Sequence, residues 1–202
     1  MNDFNSITVD SYRKNSAEWI KTHQNNMVEK DQKDFMQLLD SINGRRILDA
    51  GCGFGLHSLL FSNSGYDVVG IDAVEPFIIE AKKRAPHPNF QVMDLRRMTF
   101  PNNKFDGVWA CASLLHFRQP DLSKILDDFY RILTDKGILY TSVKEGEGER
   151  IEKDRLFVYH SNESITYALQ KAGFTTLLST PEEKDNGNWI TTYSFTKKPS
   201  AL

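Results

Sequence analysis

Apolar residues recur along this chain at two periods, and the switches between them predict alternating strands and helices. Phe35, Leu38, Leu39 and Ile42 fall at i, i+3, i+4 and i+7, an amphipathic helix ended by Asn43-Gly44. Residues 47–50 then read as a short buried strand, followed by a glycine-rich turn and by Leu56, Leu59 and Leu60 at helical spacing. The cadence repeats. Residues 66–72 form a second strand, and Phe77, Ile78, Ala81 and Ala85 give the buried face of a helix opened by Glu75-Pro76 and stopped by Pro86-His87-Pro88. Residues 90–95 and 105–111 read as the third and fourth strands, and Leu122, Ile125, Leu126, Phe129 and Leu133 as the next helix. Asp135-Lys136-Gly137 turns the chain into a fifth strand, 138–143. Strands alternating with helices predict a parallel sheet with helices on both faces.

The ends of the chain are patterned differently. Residues 1–9 read as loose, and Tyr12 to Lys33 as a helical arm in which Tyr12 and Trp19 serve either core packing or a lid. Residues 144–150, charged and glycine-rich, read as a solvated loop, and 157–160 as a short apolar connector. Ser161 caps a helix with Ile165, Ala168, Leu169 and Ala172 inward, closed by Gly173. Residues 174–179 and 189–196 enclose a turn-rich stretch and read as an antiparallel hairpin. One domain accounts for 1–202, with 1–43 an N-terminal arm or lid and 44–197 the core.

A net charge of −2 supplies no basic field for a nucleic-acid backbone, so no nucleic-acid partner is expected. The two cysteines, Cys52 and Cys111, have no metal-ligand spacing and are expected as reduced thiols, with no metal. The N-terminus lacks the apolar core of a signal peptide and no apolar run is long enough to span a bilayer, which points to the cytoplasm; a monomer or homodimer is expected.

The chemistry concentrates at the predicted strand ends. Asp49 to Gly55 follows Asp-x-Gly-x-Gly-x-Gly, and Leu56 stands where a dinucleotide fingerprint needs its third glycine. Asp72 ends the second strand, 21 positions beyond Gly51, where an acid can accept from vicinal ribose hydroxyls; helix capping is the alternative. Asp94 ends the third strand and is either a ligand acceptor or an N-cap. With the run from Ala110 to Phe117, these four landmarks in register resemble the class I S-adenosylmethionine-dependent methyltransferases over residues 45 to 197. The resemblance implies a Rossmann-like doubly wound seven-stranded sheet, order 3-2-1-4-5-7-6, with the last strand antiparallel.

It also implies S-adenosyl-L-methionine as cofactor, with S-adenosyl-L-homocysteine as product. The expected contacts are Tyr12, Asp49, Gly51, Cys52, Gly53, His57, Asp72 and Ala73, with Met93, Asp94 and Leu95 around the adenine and Ala110 and Cys111 beside the methionine part. The sulfonium makes the methyl group electrophilic, so the chain has to align the acceptor and exclude water. His116 is the candidate general base or acceptor contact, with Trp19, Arg155 and His160 as further acceptor contacts. The run Cys111-Ala112-Ser113-Leu114 replaces the Asn-Pro-Pro-Tyr type of motif that marks methylation of base and glutamine amino groups. A small-molecule acceptor is therefore expected. RNA or protein methylation, or a non-catalytic scaffold on this fold, stands as the alternative.

Overall fold

The computed structural model describes residues 4–24, 29–85, 87–184 and 187–198. Pro86, expected to help stop a helix, lies outside the described residues, as do 1–3 of the segment read as loose and 25–28 of the arm.

The sheet is built outward from β1 (Arg46–Ala50), which pairs in parallel with β2 (Asp67–Asp72) on one side and β4 (Phe105–Cys111) on the other. β3 (Asn89–Val92) lies beyond β2, and β5 (Leu133–Lys144) beyond β4, both parallel. β9 (Gly187–Thr196) joins β5 antiparallel, and β8 (Phe174–Lys184) closes the edge. The order β3-β2-β1-β4-β5-β9-β8 is the expected one, because β6 (Glu149–Glu152) and β7 (Arg155–Val158) form a separate two-stranded ribbon.

Strand side chains alternate between faces, and the two faces carry separate cores. Leu48, Ala50, Val108, Ala110, Leu139 and Val143 meet α6 (Gln119–Ile132) and α7 (Asn162–Lys171). Their neighbours Ile47, Trp109, Ile138 and Tyr140 meet α3 (Glu29–Ser41) and α4 (Leu56–Asn63). On this second face Trp109 stacks on Tyr140 with centroids 3.9 Å apart. The buried Asp31 carboxylate accepts from the Tyr140 hydroxyl at 2.9 Å and from the Tyr193 hydroxyl at 3.2 Å. α5 (Glu75–Arg84) buries Ile78 and Ala81 with Phe90 of β3. Among the described residues no helix is long and apolar enough to cross a membrane.

The local structure departs from expectation in five places, one being the stretch read as turn-rich, where β8 runs on to Lys184 and β9 starts at Gly187. Residues 4–9 are helical rather than loose: α1 (Phe4–Lys14) leads into α2 (Ser16–Thr22), and side chains of α1 anchor it. The Thr8 hydroxyl accepts from Leu156 N at 3.0 Å, and the Ser11 hydroxyl donates to Lys153 O at 2.9 Å. The segment read as loop and connector contains the β6–β7 ribbon, turned by Lys153 and Asp154 at φ 50° and 60°. A two-residue turn with both φ positive usually carries Asn or Gly, and Lys-Asp hides it. The third strand stops at Val92, and Leu95 opens a 3-10 turn. Leu133, expected at the end of a helix, begins β5 instead, and residues 134–137 are looped out between its pairings with Phe105 and Gly107.

Phe129 of α6 is fully buried against the first face. Phe129→Ala is expected to lower unfolding free energy by about 3–5 kcal/mol in denaturant titration. A loss under about 1 kcal/mol would contradict this packing.

Candidate active site

The C-terminal ends of β1, β2, β4 and β5 and the segment after β3 open into one cavity of about 660 Å³. β1 and β4 leave this edge in opposite winding directions, which is where open α/β sheets bind ligands.

Its floor is the glycine turn. Gly51 N and Cys52 N both donate to Ile71 O of β2, at 2.8 and 2.9 Å, and Gly53 N donates to Asp72 Oδ2 at 2.9 Å. Gly51 has φ +81°, and a Cβ there would lie 2.5 Å from Ser113 Cβ. Gly53, at φ +53°, is the reverse case: a Cβ would meet nothing within 4 Å. The first glycine is needed for packing, the second where the loop faces open space.

Asp72 uses one oxygen on Gly53 N and the other on Val74 N at 2.8 Å, leaving each oxygen a lone pair to spare. It therefore caps and lines the cavity at once, and burial pushes its pKa up to about 6. Asp94 also lines the cavity, but its carboxylate is engaged by Arg96, through the backbone N at 2.9 Å and Nη2 at 2.6 Å. Burial raises its pKa, and the Arg96 hydrogen bonds and charge outweigh this and hold it low. Ala73, Met93 and Leu95 line the same part.

Two expected contacts lie beneath the cavity and not on its wall. Asp49 is buried below the turn, where Ser58 Oγ donates to its Oδ2 at 2.6 Å, and Ala110 is in the core. Ala110 points away because the pleat alternates with Cys111, whereas the Asp49 carboxylate is drawn to Ser58 and fixes the start of α4. Burial raises the Asp49 pKa to about 7; the Ser58 hydrogen bond opposes this and the Asp72 charge adds to it.

The cover comes from α1 and the ribbon. His116 Nδ1 donates to Leu156 O at 2.6 Å, which leaves Nε2 to accept from the Tyr12 hydroxyl at 3.0 Å. Arg155 Nη1 donates to the same Tyr12 oxygen at 3.3 Å, and its guanidinium lies over the rings of Tyr12, Trp19 and Phe157 at 5.0–5.2 Å. Burial lowers the His116 pKa to about 4, with the Leu156 carbonyl opposing and Arg155 adding to the shift. Arg155 braces the cover from behind and is not on the cavity wall; His160 is buried in the chain after β7 and is not on it either. Both were expected at the acceptor; Arg155 is turned to Tyr12 instead, and His160 is buried.

The wall also holds His57, Cys111, Trp19 and His23, the last two stacked at 3.7 Å. Gln32 Nε2 donates to His57 Nδ1 at 2.8 Å, and burial lowers the His57 pKa to about 4. Ser142 and Trp189 also line the cavity and were missed. Ser142 could have been found from its place at the end of the fifth strand, whereas Trp189 is brought in by antiparallel pairing with Lys144, which no local pattern signals. Among the described residues no group of three or more His, Cys, Asp or Glu side chains could hold a metal.

Residues 48–141 match the family model described as a methyltransferase domain. Over that stretch, just under half of its length, the chain is similar to methyltransferase domains. The chain is 32% identical over 155 residues to phosphoethanolamine N-methyltransferase of Triticum aestivum, covering 70% of this chain and 30% of that one. It is 34% identical over 110 residues to magnesium-protoporphyrin O-methyltransferase of Rhodobacter capsulatus, covering 52% and 48%. The matches thus span a third to a half of the length of these curated relatives. In fold it is similar to Burkholderia thailandensis 1,6-didemethyltoxoflavin-N1-methyltransferase, solved with its substrate and S-adenosylhomocysteine: TM-score 0.81, 18% identity, 97% of this chain and 90% of that one.

The buried acids and histidines give this protein opposing pH responses. Between 3.8 and about 7 the native state keeps the Asp49 proton that the unfolded chain releases, so rising pH costs stability across that window. His57 and His116 act the other way, since between 6.5 and about 4 the unfolded chain takes up protons that the native state refuses. Asp49→Asn keeps an acceptor for Ser58 and removes the buried charge. In the ligand-free protein it is expected to raise the melting temperature more at pH 8 than at pH 5, by calorimetry; equal shifts would contradict the buried carboxylate.

Proposed function

We propose that this chain transfers a methyl group from S-adenosyl-L-methionine to a small-molecule acceptor. The observation that carries the reading is the convergence in one cavity of the open Gly53 turn, the Asp72 carboxylate and the Tyr12–His116 cover. The residues present fit the cofactor. Gly53 leaves room for close approach, Asp72 has lone pairs for two ribose hydroxyls, and the buried Ser113 Oγ has no partner in the protein. Met93 and Leu95 would flank the adenine, and Asp94 would accept from its amino group once Arg96 turns aside. The bound cofactor supplies an electrophilic methyl group, and the chain's residues position and shield the acceptor.

Within the 1–43 arm, α1 and α2 act as the lid in this reading, while α3 belongs to the core. Val9, Tyr12, Trp19 and Ile20 pack on Phe54, Val74 and Phe77, so α1 and α2 lie over the turn and β2 end where the nucleoside would sit. His116 holds that lid shut. Its Nε2 lone pair is taken by Tyr12, and its lowered pKa makes it a weak base near neutrality. The acceptor then arrives as a nucleophile that needs no strong base from the chain.

Asp72→Ala is expected to weaken S-adenosylhomocysteine binding about tenfold, in line with loss of hydrogen bonds to a charged group. Wild-type affinity is expected to fall as pH drops from 7 to 5, because Asp72 takes up a proton near 6. Calorimetry checks both, and an Asp72→Ala protein of unchanged affinity would sink the ribose assignment. For the cover, Tyr12→Phe is expected to speed dissociation of S-adenosylhomocysteine about fivefold in stopped flow, roughly 1 kcal/mol. His116→Gln is expected to lower turnover without changing the shape of the pH–rate profile between pH 6 and 8.5. Disappearance of a limb in that range would make His116 the base instead.

A further inference from the structure

Charge is unevenly spread along the cavity. Its ionic side chains, Asp72, Asp94 and Arg96, all follow β2 and β3. Four strand spacings away, roughly 19 Å at about 4.8 Å each, the cavity reaches Trp189 on β9. On that side the described lining side chains are uncharged: Cys111 and Ser142 at the ends of β4 and β5, Trp189, and His57. His57 is held as the Nε2–H tautomer, since Gln32 Nε2 occupies its Nδ1 lone pair at 2.8 Å. The reverse amide orientation would bury an NH2 without an acceptor where Gln32 Oε1 now has no partner. Two cations stand near but off the wall: Arg155 is spread over Tyr12, Trp19 and Phe157, and Lys144 lies over the Trp189 ring, 5.1 Å from its centroid.

We propose that this end selects an uncharged, planar heteroaromatic acceptor, seated by the Trp189 ring with a ring nitrogen or carbonyl accepting from His57 Nε2–H. The inference rests on the methyltransferase reading and narrows its acceptor. An aromatic ring gains stacking from Trp189, and one acceptor atom satisfies the fixed donor. A phosphomonoester or carboxylate would be desolvated here without a cationic partner on the wall, a cost that neutral rings avoid. Phosphorylated acceptors of the kind named for the wheat relative are therefore expected to bind weakly here.

The test is binding to protein saturated with S-adenosylhomocysteine, read by calorimetry and tryptophan fluorescence. The probes are quinolin-4-one, its anionic counterpart quinoline-4-carboxylate, and phosphoethanolamine. The neutral ring is expected to bind at least tenfold more tightly than either anion. Trp189→Leu, which keeps an apolar side chain, and His57→Phe, which removes the donor, are each expected to weaken it fivefold or more; S-adenosylhomocysteine affinity within twofold of wild type checks folding of Trp189→Leu, and a native near-UV circular dichroism spectrum checks His57→Phe. Either anion binding as tightly as the neutral ring overturns the inference, as does unchanged ring affinity in both variants. If the wild-type protein fails to bind S-adenosylhomocysteine, the methyltransferase reading itself falls, and this inference with it.

Discussion

The turn after β1 is tied to the tip of β2 by three backbone donors, and the site depends on that tie. Gly51 N and Cys52 N share the Ile71 carbonyl, and Gly53 N takes one oxygen of Asp72. These bonds fold the turn flat against its neighbouring strand, so that Gly53 faces open space and α4 starts directly behind it. They also fix Asp72, whose remaining lone pairs are thereby aimed from a rigid platform. Ser113, from the segment after β4, closes on Gly51 so tightly that no side chain fits there. Strand order and glycine placement are thus one constraint seen twice.

The cover has a different character. α1 reaches the body largely through side-chain hydrogen bonds to the β6–β7 ribbon and to His116, together with a small aromatic cluster. Those bonds are worth about 1 kcal/mol each, against the several kilocalories of a buried core face. A segment held this way can open without disturbing the sheet. The same arrangement places Arg155 behind Tyr12, so that the guanidinium steadies the phenol without lining the chamber. Polarity is sorted along the strand ends, ionic groups by β2 and β3 and neutral ones by β4, β5 and β9.

What could be read from the chain follows the range of the interaction involved. The parallel strands and the glycine turn were legible because burial alternation and positive φ leave local marks at Leu48, Gly51 and Gly53. Asp72 was legible as an acid at a strand end. Whether an acid faces ligand or core was not: Asp49, in the same motif, is buried on Ser58, and Asp94 is engaged by Arg96 two residues on. The ribbon was hidden because Lys153 and Asp154 adopt a turn that other residues favour. Contacts joining Tyr12 to His116 and Gln32 to His57 link residues 104 and 25 positions apart, beyond any local period. Trp189 enters through strand pairing alone.

The central claim is that the Gly53–Asp72 platform is a nucleoside site for a sulfur cofactor. Calorimetric titration of the purified protein with S-adenosylhomocysteine, with NAD in parallel, tests it most directly. Saturable one-to-one binding of S-adenosylhomocysteine, with none of NAD, is the predicted result. Binding of NAD alone, or of neither ligand, would contradict it.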